Sequence, residues 1–321
     1  MSRSASIDHM NRPPQLVDEL LTSSALVRSG LDDRHLRHAA GRGLLTRVSR
    51  GVYLDTTRWV ELEPEGQHAL RVHVLLRRSS PRLVASHSSA AVVWGLPLLH
   101  RPPPEVHVID PGRRTNSRSS TMVRHALPLH DDERVALDGL TVTSSARTAV
   151  DLALAHGLHA GLMAYDHGLR EGLFSREDLA GCLARRRRSP RRKTAELCLQ
   201  LADEGSMTPI ESASAATLHL LGLPRPVRQE PFSDERGKIG EVDFWFPQFG
   251  GVGEADGDVK YTKPEMRGGR DPAQVALDEK NREDRIRAVP RVRHFGRWGY
   301  ATASSPPKLR ARLRAVGFPL P

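Results

Sequence analysis

Aromatic side chains make up only 5% of this 321-residue chain, and cysteine occurs twice, as Cys182 and Cys198. The two thiols lie in helical-looking stretches without a Cys or His at metal-ligand spacing, which argues against a disulfide or a Cys-based metal site and makes them ordinary reduced thiols. No run of about 18 apolar residues is present, so neither a membrane-spanning helix nor a membrane partner is expected. The first twenty residues, MSRSASIDHMNRPPQLVDEL, lack the hydrophobic region of a secretory signal, and a cytoplasmic location is expected. Acidic residues are in the minority: 38 Asp and Glu against 48 Lys and Arg leave a net charge of +10 and a pI of about 10.2, with arginine greatly exceeding lysine. Such a surplus favours polyanionic partners, because neutralising phosphates releases counterions, although charge alone does not separate DNA from RNA.

A chain of 321 residues is long enough for two or three domains. Its most informative stretch covers 208–261, TPIESASAATLHLLGLPRPVRQEPFSDERGKIGEVDFWFPQFGGVGEADGDVKY. Ser206 or Thr208 can cap a helix that begins at Pro209 and stops at Gly222 and Pro224, which puts Glu211 in its first turn. Segments 227–232, 240–246 and 251–256 are each bounded by Gly, Pro or Asp and read as consecutive strands. Period-2 alternation points Glu254 and Asp256 to one face and turns Val242 and Phe244 toward a core, away from Asp243. Glu211 and Asp243 are 32 residues apart and Asp243 and Glu254 are 11 apart, so these acids can converge at one end of a small sheet. Clustered carboxylates are costly unless a cation neutralises them. Mg2+ or Mn2+ held by carboxylates, water and phosphate oxygens is what phosphodiester hydrolysis uses. Lys260, just past the third strand, can stabilise developing charge or orient the attacking water. The competing reading makes Asp243 and Asp256 strand-end residues and Glu211 an acid that favours its helix N-terminus.

The pattern Glu211, then Glu241-Val242-Asp243-Phe244, then Glu254-Ala255-Asp256-Gly257 with Lys260-Tyr261, resembles the very short patch repair/DUF559 branch of the PD-(D/E)xK restriction-endonuclease-like superfamily. The resemblance implies an αβββαβ core over 206–321 and a Mg2+-dependent DNA endonuclease. In it Glu211, Asp243 and Glu254 match the acidic positions, Asp243 and Glu254 hold the metal, and Glu211 adds a ligand or a supporting contact. Asp256 stands where the family usually has lysine, so catalysis depends on Lys260 taking over that role, with Asp256 or Lys260 positioning the attacking water. The alternative is a non-catalytic DNA-binding regulator carrying a degenerate nuclease fold.

Residues 1–14 end in Asn11-Arg12-Pro13-Pro14 and read as a disordered lead-in. Over 15–54, helices at 15–21, 24–29 and 32–41 precede an alternating hairpin at 45–53, the layout of a winged helix-turn-helix. Leu16, Leu20, Leu26, Val27, Leu31 and Leu36 are its expected core. Asp32 or Asp33 caps the third helix, whose Arg34, His35, Arg37, His38 and Arg42 form a basic face, and Arg47 and Arg50 reach outward as a wing, an arrangement suited to DNA. A solvated basic helix is the competing reading. Arg42-Gly43-Leu44-Leu45 and Arg50-Gly51-Val52-Tyr53 resemble the N-terminal domain of AbiEi-family antitoxins, the DNA-binding half of type IV toxin-antitoxin systems. That resemblance implies DNA and, for an antitoxin, a cognate toxin as partners.

Residues 55–150 read as an α/β middle domain, with a helix at 66–78, strands at 83–85, 105–110, 121–125 and 140–142, and a basic loop at 112–120. Ser86 to Pro97 is similar to an SHxSAAxxxGLP signature of AbiEi-like and DUF559-bearing proteins. No acid lies close in sequence to orient His87, so Ser86 and Ser88 are read as helix caps and His87 as packing against Trp94. Arg147 and Asp151, within a similar TSxxRTxxDLA stretch, fall at i, i+4 as a surface-spaced ion pair contributing about 0.2–0.5 kcal/mol, and are assigned to packing this domain rather than to chemistry. Residues 151–205 read as a helical connector whose basic run 185–193 is an exposed loop, either a phosphate-gripping arm or a solvated linker. Beyond the acidic stretch come a Gly- and Arg-rich loop at 263–271, a helix at 272–288, a strand at 292–295 and a helix at 307–316, with Lys280 and Arg282 placed to face a phosphate or solvent. The expected fold class is α/β multidomain: an N-terminal winged helix-turn-helix, a middle α/β and helical region, and a C-terminal restriction-endonuclease-like domain.

Overall fold

The computed structural model describes residues 16–29, 34–256 and 272–321. The lead-in 1–14, Leu31, the caps Asp32 and Asp33, Lys260 and the loop 263–271 lie outside the described residues. The described residues are mixed α/β with three sheets, and the chain divides into two units, Met1–Ala155 with Glu171–Arg192, and His156–Arg170 with Lys193–Pro321. No described helix is long and apolar enough to cross a membrane.

Unit 1 begins with β1 (Leu21–Thr22), α1 (Ser23–Arg28), α2 (Arg34–Gly41), β2 (Leu45–Ser49) and β3 (Val52–Asp55). Arg50 and Gly51 close the β2–β3 hairpin, and Gly51 takes the positive φ of 67° that such a turn requires. β3 lies between β1 and β2. Asp55 Oδ1 accepts the Thr57 amide at 2.8 Å and so starts α3 (Thr56–Glu61), and Pro64 opens α4 (Pro64–Arg77). Leu16, Val48, Val52, Leu54, Trp59, Leu62, Leu70 and Val74 form the core beneath this sheet. Leu36 is buried, but Val27, expected in the core, is 62% exposed, because the six-residue α1 turns that side outward.

The chain continues through β4 (Val84–Ala85), α5 (His87–Trp94), β5 (Val106–Ile109), β6 (Ser117–Arg118), β7 (Met122–His125), β8 (Arg134–Leu137), β9 (Leu140–Thr143) and α6 (Ser145–His156). These strands make a mixed sheet in the order β6-β7-β5-β4-β9-β8, with β5 parallel to β7. Arg147 on α6 is fully buried with Asp151 and Glu133, which corrects the expectation of a surface pair. α7 (Leu158–Arg170) belongs to unit 2, and the chain returns to unit 1 with α8 (Arg176–Ala184), capped by Ser175. The basic run after α8 is not wholly an exposed loop. Arg186 is buried 3.6 Å from Asp151, Arg191 donates to Ala155 O at 2.9 Å, and Arg192 donates to Leu183 O at 3.1 Å. The Arg191 and Arg192 guanidiniums satisfy carbonyls at the ends of helices that have no intrahelical partner.

Unit 2 adds α9 (Arg192–Leu201), α10 (Pro209–Leu220), β10 (Val227–Asp234), β11 (Gly237–Phe246), β12 (Gly251–Asp256), α11 (Pro272–Ala288), β13 (His294–Gly299), α12 (Tyr300–Ala303) and α13 (Pro306–Ala315). The sheet order is β10-β11-β12-β13, antiparallel until β13 joins β12 in parallel. Phe232, Val242, Trp245, Val252, Ile286 and Phe295 form one core between sheet and α11. On the other face Trp298 Nε1 donates to Ser214 Oγ of α10 at 2.8 Å, and a Cβ on Gly253 would meet the Trp298 ring at 2.5 Å, so glycine is what lets the indole cover β12.

Asp166, on α7, is wholly buried, and its Oδ1 accepts the Asp203 amide at 2.8 Å. Burial pushes its pKa up to about 6. The folded chain therefore keeps a proton that the unfolded chain has lost, and between about pH 4 and pH 6 this group makes stability fall as pH rises, on the order of 3 kcal/mol in all. Asp166→Asn preserves the accepting oxygen without the charge. Thermal melts at pH 4.5 and 7.5 should show the variant gaining on wild type at the higher pH, whereas a constant difference would refute the assignment.

Candidate active site

Thr208 caps α10 in a way that also fixes Glu211. The Thr208 hydroxyl lies 3.4 Å from the Glu211 amide and donates to Glu211 Oε1 at 2.7 Å, while the Met207 amide donates to Oε2 at 3.0 Å. With Glu211 only 3% exposed, its carboxylate is held by the helix entry rather than by solvent. Arg228 of β10 brings a guanidinium to 3.6 Å from Oε2 and lies over the Phe244 ring at 4.7 Å.

Gln229 joins this helix to the sheet. Its side-chain amide donates to Glu211 Oε2 at 3.0 Å and to Asp243 Oδ1 at 3.3 Å. Its backbone has a φ of 49°, a left-handed conformation uncommon outside glycine, and the strain that costs sits beside the acids. Asp243, on β11 between the fully buried Val242 and Phe244, accepts the Ala255 amide through Oδ2 at 2.8 Å. Its alternation with two core residues is the pattern that the sequence predicts.

Glu254 lies next along β12 at 5% exposure. Burial, with Asp243 adding like charge, pushes its pKa up to about 7, against the pull of Arg282. Arg282 of α11 reaches Glu254 Oε1 at 3.2 Å and also donates to Glu241 O at 2.5 Å. The sequence offers Arg282 as a residue facing phosphate or solvent; the structure instead turns its guanidinium onto Glu254. Lys280 is exposed. Asp256 Oδ2 is 2.8 Å from Arg297 Nε, and Arg297, opposite Glu254 in the β12–β13 register, also contacts Glu279 and, at 3.5 Å, Glu283. Within the described residues, then, Glu211, Asp243, Glu254 and Asp256 share one end of the sheet, and Arg228, Arg282 and Arg297 supply counter-charge that the sequence reading assigned to a cation.

Carboxylate oxygens in this setting suit a hard divalent cation, for which Asp243 and Glu254 are the adjacent donors. Among the described residues, however, the group of three or more potential ligands whose ligand atoms all lie within 4.8 Å of one another is His87, His107 and His125, not the acids. Gln229, Arg228 and Arg297 carry no sequence signal, because their roles depend on a left-handed residue and on a parallel strand partner.

In unit 1 Arg34, Arg37 and His38 are exposed around buried Leu36, and Arg42, Arg47 and Arg50 are exposed after them. Arg50 O accepts from Arg78 at 2.8 Å, which ties the hairpin tip to the end of α4. Compared with family models and with curated proteins, the chain has no match.

Proposed function

We propose that the chain is a DNA-binding protein whose unit 2 is a metal-dependent DNA endonuclease of the PD-(D/E)xK type. The observation that carries this reading is the junction of Glu211 and Asp243 through the Gln229 amide, with Asp243 close enough to Glu254 to raise its pKa. The order α10-β10-β11-β12-α11-β13 supports it, since it is the αβββαβ order of that superfamily. Asp243 and Glu254 would hold Mg2+ or Mn2+, which supplies charge neutralisation at the phosphate and activates water. Glu254 gives up its proton before it can ligate. Glu211 fixes Asp243 through Gln229, while Arg282 on Glu254 and Arg297 on Asp256 balance the charge of the acids themselves. Metal-dependent conversion of supercoiled plasmid to nicked circles, stopped by EDTA, tests the reading.

A winged helix in unit 1 supplies the DNA contact in this account, supported by the pairing of β1 with the β2–β3 hairpin and by the exposed arginines of α2 and the hairpin. In fluorescence anisotropy with duplex DNA, Arg37→Ala and Arg47→Ala should each weaken binding across sequences and lower the slope of log affinity against log salt by about 1. Unchanged affinity and slope would remove unit 1 from the interface.

One observation favours a second reading. Arg282 on Glu254 and Arg297 on Asp256 already compensate the acids, as expected of a degenerate nuclease fold retained in a transcriptional regulator or a type IV antitoxin with a cognate toxin. Plasmid bound but left intact under both metals would select it.

A further inference from the structure

Three imidazoles meet in unit 1 at a place that neither reading of the function uses. His87 opens α5, His107 lies on β5, and His125 ends β7. The parallel register sets His107 opposite Val123 and Ile109 opposite His125, so the two rings come from adjacent strands a residue pair apart. His107 Nδ1 is 3.1 Å from His125 Nε2, and the His87 ring stacks on His125 with centroids 4.0 Å apart. One ligand nitrogen from each lies within 4.8 Å of the others. A tetrahedral zinc ion with Zn–N bonds of about 2.0–2.1 Å separates its nitrogens by about 3.3–3.4 Å, so binding would draw the three nitrogens inward and turn the His87 ring out of its stack on His125.

The surroundings are organised to hold these rings. Ser86 is in the capping position of α5 but makes no side-chain cap, contrary to the sequence expectation; its Oγ instead lies 3.0 Å from His87 Nδ1. That contact orients the ring and makes Nε2 the ligand atom, the role that outer partners play for metal-binding histidines. His87 adopts a φ of 50°, an unfavourable conformation for a residue with a side chain, and strain of this kind is maintained where the position of the side chain matters. The Ser86 amide donates to His107 O at 3.0 Å, the His107 amide donates to Ser89 Oγ at 2.7 Å, and buried His68 lies 2.9 Å from the same hydroxyl. Helix start and strand are thus locked together.

We propose that His87, His107 and His125 form a binding site for a divalent transition metal ion of the zinc class. An all-imidazole donor set suits Zn2+, Co2+ or Ni2+ and disfavours Mg2+, which demands oxygen ligands, so this site is independent of the acidic site in unit 2. Three protein ligands leave a fourth tetrahedral position for a solvent oxygen.

The test uses the untagged full-length chain, stripped with a chelator and titrated with Co2+. The expected result is one equivalent bound with the visible absorption of four-coordinate cobalt, displaced by Zn2+, lost in His107→Gln and His125→Gln, and kept in Asp243→Asn. Far-UV circular dichroism checks the variants' folding, and X-ray absorption of the Zn2+-loaded wild type reads imidazole scattering without any substitution. Absence of the cobalt band in wild type, its persistence in both histidine variants, or an oxygen-only zinc shell would overturn the proposal.

Discussion

Arg147→Ala should destabilise unit 1 by about 3–5 kcal/mol, the cost of leaving buried charge without its partner. Arg147 Nε donates to both Asp151 oxygens at 3.0 Å, and Nη1 reaches Glu133 Oε2 at 2.7 Å and Pro128 O at 3.2 Å. All three charged side chains are 2% exposed or less. Burial already pushes the Asp151 pKa up to about 6 with the arginine present, and its removal leaves the two carboxylates out of water with only the longer contacts of Arg186, 3.6 Å from Asp151, and Arg185, 3.8 Å from Glu133. Urea denaturation monitored by circular dichroism measures the loss. A change below about 0.5 kcal/mol, the value of an exposed i, i+4 pair, would mean that the group is solvated after all.

Asp243→Asn should lower metal-dependent cleavage by about two to three orders of magnitude, the scale of removing one group that stabilises transition-state charge. An asparagine oxygen can still accept the Ala255 amide that Asp243 Oδ2 accepts at 2.8 Å, while its NH2 would face the Gln229 amide that donates to Oδ1 at 3.3 Å. Val242 and Phe244 beside it remain packed. DNA binding should be retained, since the exposed arginines of unit 1 are untouched. A variant that cleaves at the wild-type rate would show that Asp243 is a strand residue without a catalytic role.

How much the sequence could reveal followed from the range of the interactions involved. The start of α10 was legible because Thr208, Pro209 and Glu211 are local signals that act within one turn. Asp243 between Val242 and Phe244 was legible because alternation in a strand needs no knowledge of its partner. The counter-charges were not, since Arg297 meets Asp256 only through the parallel pairing of β12 and β13 across forty residues of chain. The burial of the Arg147 pair escapes the sequence for the same reason. Spacing puts Arg147 and Asp151 on one helix face, but Glu133, from a separate turn before β8, makes that face interior. The histidine trio likewise joins a helix start to two strands, and the one signal in sequence was His87 between two serines.

The most direct test is incubation of supercoiled plasmid with the purified chain in Mg2+ or Mn2+, alongside Asp243→Asn and Glu254→Gln. The account expects nicked or linear DNA from wild type alone, with all three proteins shifting DNA equally. Plasmid that is bound by wild type yet stays intact with either metal, or that is cut as well by both variants, would contradict it.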